Sequence, residues 1–301
     1  MNGKAILRLL RPQQWVKNVF LIAPLIFSKH LFNPDYLLTT VLALVVFSLV
    51  SSSVYIINDI ADREADRQHP IKKNRPIASG QISIPQAVVT FLVILAAVVL
   101  AGRNLDLKFQ LVVLIYFVLN LSYSFGLKRV ILVDVFVIAA GYMLRVLAGA
   151  YAIAVLISPW LVLCTLFVSV FLAISKRRGE LMLAKNTVGY VGRAVLQQYD
   201  MALIDQLMTI AAAGMAISYA LYTVAERTVT IFGTDNLIFT TVFVLFGIFR
   251  YLFLVRRKEN DDNPAHVLIT DWAMVFNVIA WFASCIVIIY WSEIRSWFQI
   301  I

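Results

Sequence analysis

Apolar positions in this chain run together in uncharged stretches of about 20 residues, the length a helix needs to cross the hydrocarbon core of a bilayer. Nine such spans are read, over about residues 17–33, 36–58, 84–102, 107–125, 130–156, 158–175, 202–224, 236–255 and 272–292. Pro24 interrupts the first, which a membrane helix tolerates when neighbours satisfy the freed carbonyl. The polar intervals are short, apart from 59–83, 176–200 and 256–271. No soluble domain, low-complexity tract or short repeat is visible. The expectation is an all-α, polytopic membrane protein forming a single integral membrane domain over residues 1–301.

Composition agrees. Hydrophobic residues make up 61% of the chain and charged residues 14%, against about 45–50% and about 25% in soluble domains. That balance excludes a soluble globular enzyme, a disordered chain and a nucleic-acid-binding module, so no nucleic-acid partner is expected. Cys164 and Cys285 both lie in apolar runs and imply no disulfide framework. The basic N-terminus leads into Val19–Ser28 without a convincing cleavage site, so no cleavable signal is read.

The net charge of +9 is explained by topology. With the N-terminus on one side, 19 of the 26 Lys and Arg residues fall on that side and 5 on the other, with Arg145 and Arg250 inside spans. The positive-inside rule makes the richer side cytoplasmic. The expected orientation places the N-terminus and all three long charged segments on the cytoplasmic side.

The sharpest chemistry lies at the cytoplasmic end of the second span, in Asn58-Asp59-Ile-Ala-Asp62-Arg63-Glu64-Ala-Asp66. If the helix continues, Asn58, Asp62 and Asp66 share one face, and Asp59 lies one turn from Asp62. Carboxylates this close repel one another unless a cation intervenes. Hard oxygens on a short arc suit Mg²⁺, which takes one or two carboxylates plus substrate phosphates. A solvated acidic helix end is the bland alternative. A basic loop follows, ending in Asn74-Arg75-Pro76-Ile-Ala-Ser-Gly80, where Arg75 offers a two-pronged donor to phosphate. Lys72 and Lys73 read as ordinary positive-inside charges.

These two segments together resemble the UbiA superfamily of intramembrane prenyltransferases. The resemblance covers essentially the whole chain. It implies a helical bundle around a central cavity with a cytoplasmic polar mouth and a lateral lipid opening. It also implies that Asp59, Asp62 and Asp66 hold Mg²⁺ and the diphosphate of one substrate, with Asn58 beside them. Typical members carry a second aspartate-rich motif at the end of helix 6. Here that place reads Lys176-Arg177-Arg178-Gly179-Glu180, so a second metal is not expected and a bound anion fits better. A topology anchor is the alternative.

This departure, the N-terminal Arg11-Pro12-Gln-Gln-Trp15-Val-Lys17-Asn18, and Tyr123 to Lys128 followed by Asp134 resemble the polyprenyl-phosphate phosphoribosyltransferase branch. That branch implies phosphoribosyl pyrophosphate as donor and a long polyprenyl phosphate such as decaprenyl phosphate as acceptor. The lipid-linked phosphoribose would feed arabinose-donor synthesis for the cell envelope. Some relatives imply a homotrimer.

Charge supports the branch: Lys17, Arg75, Lys128, Lys176 and Arg177, near the cytoplasmic ends of their helices, could neutralise a diphosphate, a 5-phosphate and a lipid phosphate. Glu180 or Asp134 could orient a ribose hydroxyl. Arg145, eleven residues past Asp134, is a functional candidate as an intramembrane cation, or else bonds backbone or snorkels. Tyr123 could donate to a phosphate or sit at the interface. His30, His69 and His266 read as loop residues; Lys185, Arg193 and Arg256–Lys258 as topology charges; Gly141, Ala148 and Gly149 as close-packing positions. Rival readings are a prenyltransferase acting on an aromatic acceptor and a lipid carrier or transporter.

Overall fold

A computed structural model describes residues 3–69, 71–186, 196, 198–257 and 270–298. Among these residues all regular structure is helical. The chain divides into two compact units: Met1–Leu25 with His30–Leu156, and Ile26–Lys29 with Ile157–Ile301.

The first unit begins with the short amphipathic helix α1 (Gly3–Leu10), which buries Ala5 and Leu9. Arg11 then takes a left-handed backbone, and Pro12–Ile22 forms an eleven-residue 3₁₀ helix. That helix passes into α2 (Ala23–Phe27). The long α3 (Pro34–Ala61) starts at Asn33, whose side chain accepts from the Asp35 amide, with Pro34 at a position that needs no donor. After α4 (Arg63–Gln68) come α5 (Ile84–Gly102), α6 (Leu107–Phe125) and α7 (Val133–Ala152). Ser83 and Gln86 form a reciprocal capping box at α5, and Asp106 caps α6. About two-thirds of α7 and of the apolar stretch of α3 is buried, against 17% for α5, so α3 and α7 form the unit's core and α5 presents its Leu92, Val93, Val99 and Leu100 outward.

The second unit contains α8 (Pro159–Asn186), α9 (Met201–Val224), α10 (Glu226–Phe232), a 3₁₀ turn at Asn236–Thr240, α11 (Thr241–Arg257), α12 (Trp272–Ile289) and α13 (Trp291–Phe298). Asp200 caps α9 and Asp271 caps α12. Arg250, inside α11, is satisfied by two bonds to the Asp271 carboxylate, at 3.1 and 2.8 Å. Tyr219 ties three elements together, bonding Thr240 at 2.6 Å and accepting from Trp281 at 2.8 Å.

Three expectations change. The described residues contain eight helices long and apolar enough to cross a membrane, not nine. The segment read as the first span, 17–33, is the 3₁₀ helix plus the short α2. The 3₁₀ helix nevertheless runs antiparallel along α3. Ser52 donates to the Leu10 carbonyl (2.7 Å) and accepts from the Trp15 indole (3.0 Å), and Asn18 donates to Ser48 (2.9 Å). At about 2 Å rise per residue, eleven residues cover about 22 Å. Second, α8 does not stop near 175 but continues to Asn186, because its last eleven residues include strong helix formers and an Arg177–Glu180 pair at i, i+3 spacing. Third, α3 ends at Ala61 and a new helix starts at Arg63. Carboxylates at a helix C-terminus oppose its dipole, whereas in the first turn of α4 Glu64 and Asp66 complement it. Arg193, Lys258 and His266 lie outside the described residues.

Candidate functional site

The break at Asp62 sorts the acidic motif onto two faces. Asn58 and Asp62, at i, i+4, look toward the end of α6. The Ser124 hydroxyl donates to Asn58 Oδ1 at 3.2 Å, and Lys128 Nζ lies 2.5 Å from Asp62 Oδ1. Asp59 and Asp66 look the other way, toward arginines. Arg75 Nη1 bridges them, 3.1 Å from Asp59 Oδ1 and 2.5 Å from Asp66 Oδ2, and Arg11 Nη2 also binds Asp59 Oδ1. The expected single face of Asn58, Asp62 and Asp66 is therefore corrected: the helix does not continue, so Asp66 joins Asp59 instead.

Asp59 is 2% exposed and Asp66 5%. Burial raises the Asp66 carboxyl above its ordinary pKa, while the Arg75 guanidinium opposes the rise. Among the described residues no three His, Cys, Asp or Glu side chains converge. Side-chain cations neutralise the carboxylates instead. The donor set still fits a divalent ion. Asp59 and Asp66 are close enough to share one guanidinium nitrogen, and Asp59 Oδ2 is buried without a hydrogen-bond partner. A hard anionic oxygen in that state is what an oxygen-seeking cation takes.

The remaining candidates separate. Arg75 and Lys128 stand on the aspartates. Asn74 is exposed at the end of a short 3₁₀ turn and makes no part of the cluster. Tyr123 is half-buried near the end of α6, and Asp134 is fully buried at the start of α7. Lys17 lies on the 3₁₀ helix. Asn18 and Arg145 meet each other: Asn18 Oδ1 accepts from Arg145 Nε at 2.8 Å. Arg145 further donates to the Gly141 carbonyl (2.7 Å) and the Tyr116 hydroxyl (3.0 Å), and lies over the Tyr116 ring at 4.9 Å. Its guanidinium is thus bonded within the protein, to an amide, a backbone carbonyl and a phenol. His69 is a loop residue, yet a buried one, whose Nδ1 accepts from the Ile71 and Lys72 amides.

In the second unit, the Lys176–Glu180 segment lies within α8. Arg177 is fully buried and pairs with Glu180; Lys176 is half-buried. Arg178 binds Asp205 of α9 at 2.9 Å and the Val255 carbonyl of α11 at 2.8 Å, which makes it a brace between three helices.

Sequence reasoning missed Arg11, Ser124 and Asp205 as partners of these residues. A signal existed for Arg11, which directly precedes Pro12 in the Arg11-Pro12-Gln-Gln-Trp15-Val-Lys17-Asn18 segment. None existed for the other two, whose partners lie 66 and 27 residues away.

Fold and site define a multi-pass helical membrane protein with paired acidic and basic groups gathered at one end of a central span. The chain belongs to the UbiA prenyltransferase family, whose model matches residues 19–279, and it is with that family a transferase. It is 37% identical over 222 residues to a decaprenyl-phosphate phosphoribosyltransferase of Mycobacterium tuberculosis, covering 72% of this chain and 73% of that one. It is 30% identical over 297 residues to the protein of the same name from Mycolicibacterium smegmatis, covering 95% and 93%. In three dimensions it is similar to a UbiA homolog from Archaeoglobus fulgidus bound to DMAPP and Mg²⁺, with a TM-score of 0.72, 19% identity and coverage of 94% and 98%.

Proposed function

We propose that this protein transfers 5-phosphoribosyl from phosphoribosyl pyrophosphate to a polyprenyl phosphate and releases pyrophosphate. The observation that carries the reading is the cluster at the end of α3, where each buried or half-buried aspartate is met by a cation from another segment. Such a cluster suits a substrate that brings both metal and phosphate. The names of the relatives reported above, decaprenyl-phosphate phosphoribosyltransferases, support this pair. The three cations at 176–178, standing where typical members carry a second acidic motif, support the same choice over prenyl transfer to an aromatic ring.

Asp59 and Asp66 would hold Mg²⁺, which supplies positive charge to a departing diphosphate, while Asp62 holds the Lys128 ammonium. Arg75 and Lys128 donate to phosphate oxygens, with Asn58, Asn74 and Tyr123 as further polar contacts on the donor. Lys17 is assigned to a phosphate group by its charge, and Asp134 to a ribose hydroxyl. Asn18 and Arg145 act from behind, fixing the 3₁₀ segment that carries Lys17. The lipid phosphate oxygen attacks the anomeric carbon as the carbon–oxygen bond to pyrophosphate breaks. Charge builds on the ribose ring as in glycoside chemistry. The nucleophile is already an anion at pH 7, so positioning and electrostatics carry the catalysis and no strong base is required. The mouth of the site faces the cytoplasm of a bacterial cell.

The test is incubation of membranes containing the protein with radiolabelled phosphoribosyl pyrophosphate, Mg²⁺ and polyprenyl phosphates of several lengths. Label enters the lipid phase, and Asp62→Asn lowers that rate by about 100-fold or more, as for loss of a preorganised charge. Absence of label in the lipid with every acceptor overturns the reaction.

A further inference from the structure

Arg11 is not required by the reaction as written, yet it is built into the acidic cluster. Its backbone lies in the left-handed region (φ 53°, ψ 55°), an unfavourable conformation for a residue with a Cβ, at the joint between α1 and the 3₁₀ helix. There its guanidinium binds Asp59 Oδ1 and lies 5.2 Å from the centre of the Tyr55 ring. Arg75 holds the same oxygen and Asp66 as well. Two carboxylates and two guanidiniums therefore cancel. Asp59 Oδ2, buried and without a partner, is the one oxygen of Asp59 left for another cation.

We propose that Arg11 is an internal counter-ion of the metal site. It neutralises Asp59 through Oδ1 when no divalent ion is present, is repelled from that carboxylate when one binds at Oδ2, and is then free to meet the diphosphate. The physical reason is charge balance. A carboxylate this buried cannot stand alone without a large desolvation cost, so a cation must be on it at all times. A divalent ion added to the balanced cluster leaves two surplus positive charges. A diphosphate removes that surplus. Either ligand alone upsets the balance and the two together restore it, so each strengthens the other's binding by the same factor. Arg11 is thus a positioning residue that couples metal entry to donor entry. This rests on the assignment of the aspartates to Mg²⁺ made above.

The coupling is read with Mn²⁺ by electron paramagnetic resonance on the full chain in lipid nanodiscs, with and without inorganic pyrophosphate. In the unaltered protein pyrophosphate tightens Mn²⁺ binding about tenfold. In Arg11→Gln the competitor is gone, so Mn²⁺ alone binds about three- to tenfold tighter and the gain from pyrophosphate shrinks by the same factor. Mn²⁺ binding by Arg11→Gln equal to or weaker than the unaltered protein's overturns the proposal. Asp59→Asn separates the two layers of the argument. If it binds Mn²⁺ as the unaltered protein does, the metal assignment itself fails; if it loses Mn²⁺, that assignment stands and Arg11→Gln decides the rest. Should Arg11→Gln not give monodisperse protein, Arg11→Lys replaces it. Its shorter, unforked side chain competes less well, so a smaller gain in the same direction is expected, and no gain overturns the proposal.

Discussion

Asn18 and Arg145 show how one residue's meaning depends on its neighbours. An arginine in the middle of an apolar helix costs about 2.5–3.5 kcal/mol to insert and invites a functional reading. Here the guanidinium is spent on an amide, a backbone carbonyl and a phenol, all within the first unit. Asn18 is the hinge of that network, since it accepts from Arg145 and donates to Ser48. Asn18→Ala leaves a buried guanidinium nitrogen short of its acceptor. The expected loss is about 1–3 kcal/mol of stability, read as a lowered melting temperature in detergent, whereas Asn18→Asp, which keeps an acceptor, loses less. An unchanged melting temperature in Asn18→Ala would remove the network from any role in holding the segment.

At the scale of elements, close approach decides more than hydrophobicity does. The 3₁₀ helix lies against α7 so tightly that a methyl group at Gly149 would fall on the Leu21 carbonyl. Backbone cannot step aside there as a side-chain tip could. Gly149→Ala should therefore cost about 1–3 kcal/mol or more and reduce the yield of monodisperse protein. Gly141→Ala, whose nearest neighbour is the Arg145 Nη1 at 3.4 Å, should be close to neutral. Equal behaviour of the two variants would mean the packing at Gly149 is looser than described. The lengths of α5, α6 and α9 could be read from the chain to within a residue, because apolar run length and a Ser or Asp cap are local properties. The 3₁₀ helix could not, because its shape comes from Pro12, the left-handed Arg11 and the serine-rich face of α3 taken together. The continuation of α8 past its cations was likewise hidden: Lys and Arg read as a span's end, yet they are good helix formers and pair along the helix.

Across the whole molecule, the distribution of basic residues makes a prediction about direction. With the two native cysteines removed, single cysteines at Lys73 and Lys185, both exposed, should react with a membrane-impermeant thiol reagent only in inverted vesicles. One at Arg103, exposed after α5, should react in intact cells. The opposite pattern would reverse the orientation, and with it the side from which the donor enters. Both native cysteines are free thiols.

Apolar run length, caps and the sign of loop charges act over a few residues, so the chain alone determined a multi-pass helical membrane protein and the stretch of acids and bases to which its chemistry is here assigned. Which acid meets which base was beyond it. Arg11 reaches Asp59 across 48 residues and Lys128 reaches Asp62 across 66. Such pairings depend on where a helix breaks and which face then turns toward a neighbour. That is a property of packing, and only the tertiary structure decided that Asp59 stands with Asp66, that Asp62 stands apart, and that Arg11 belongs with them.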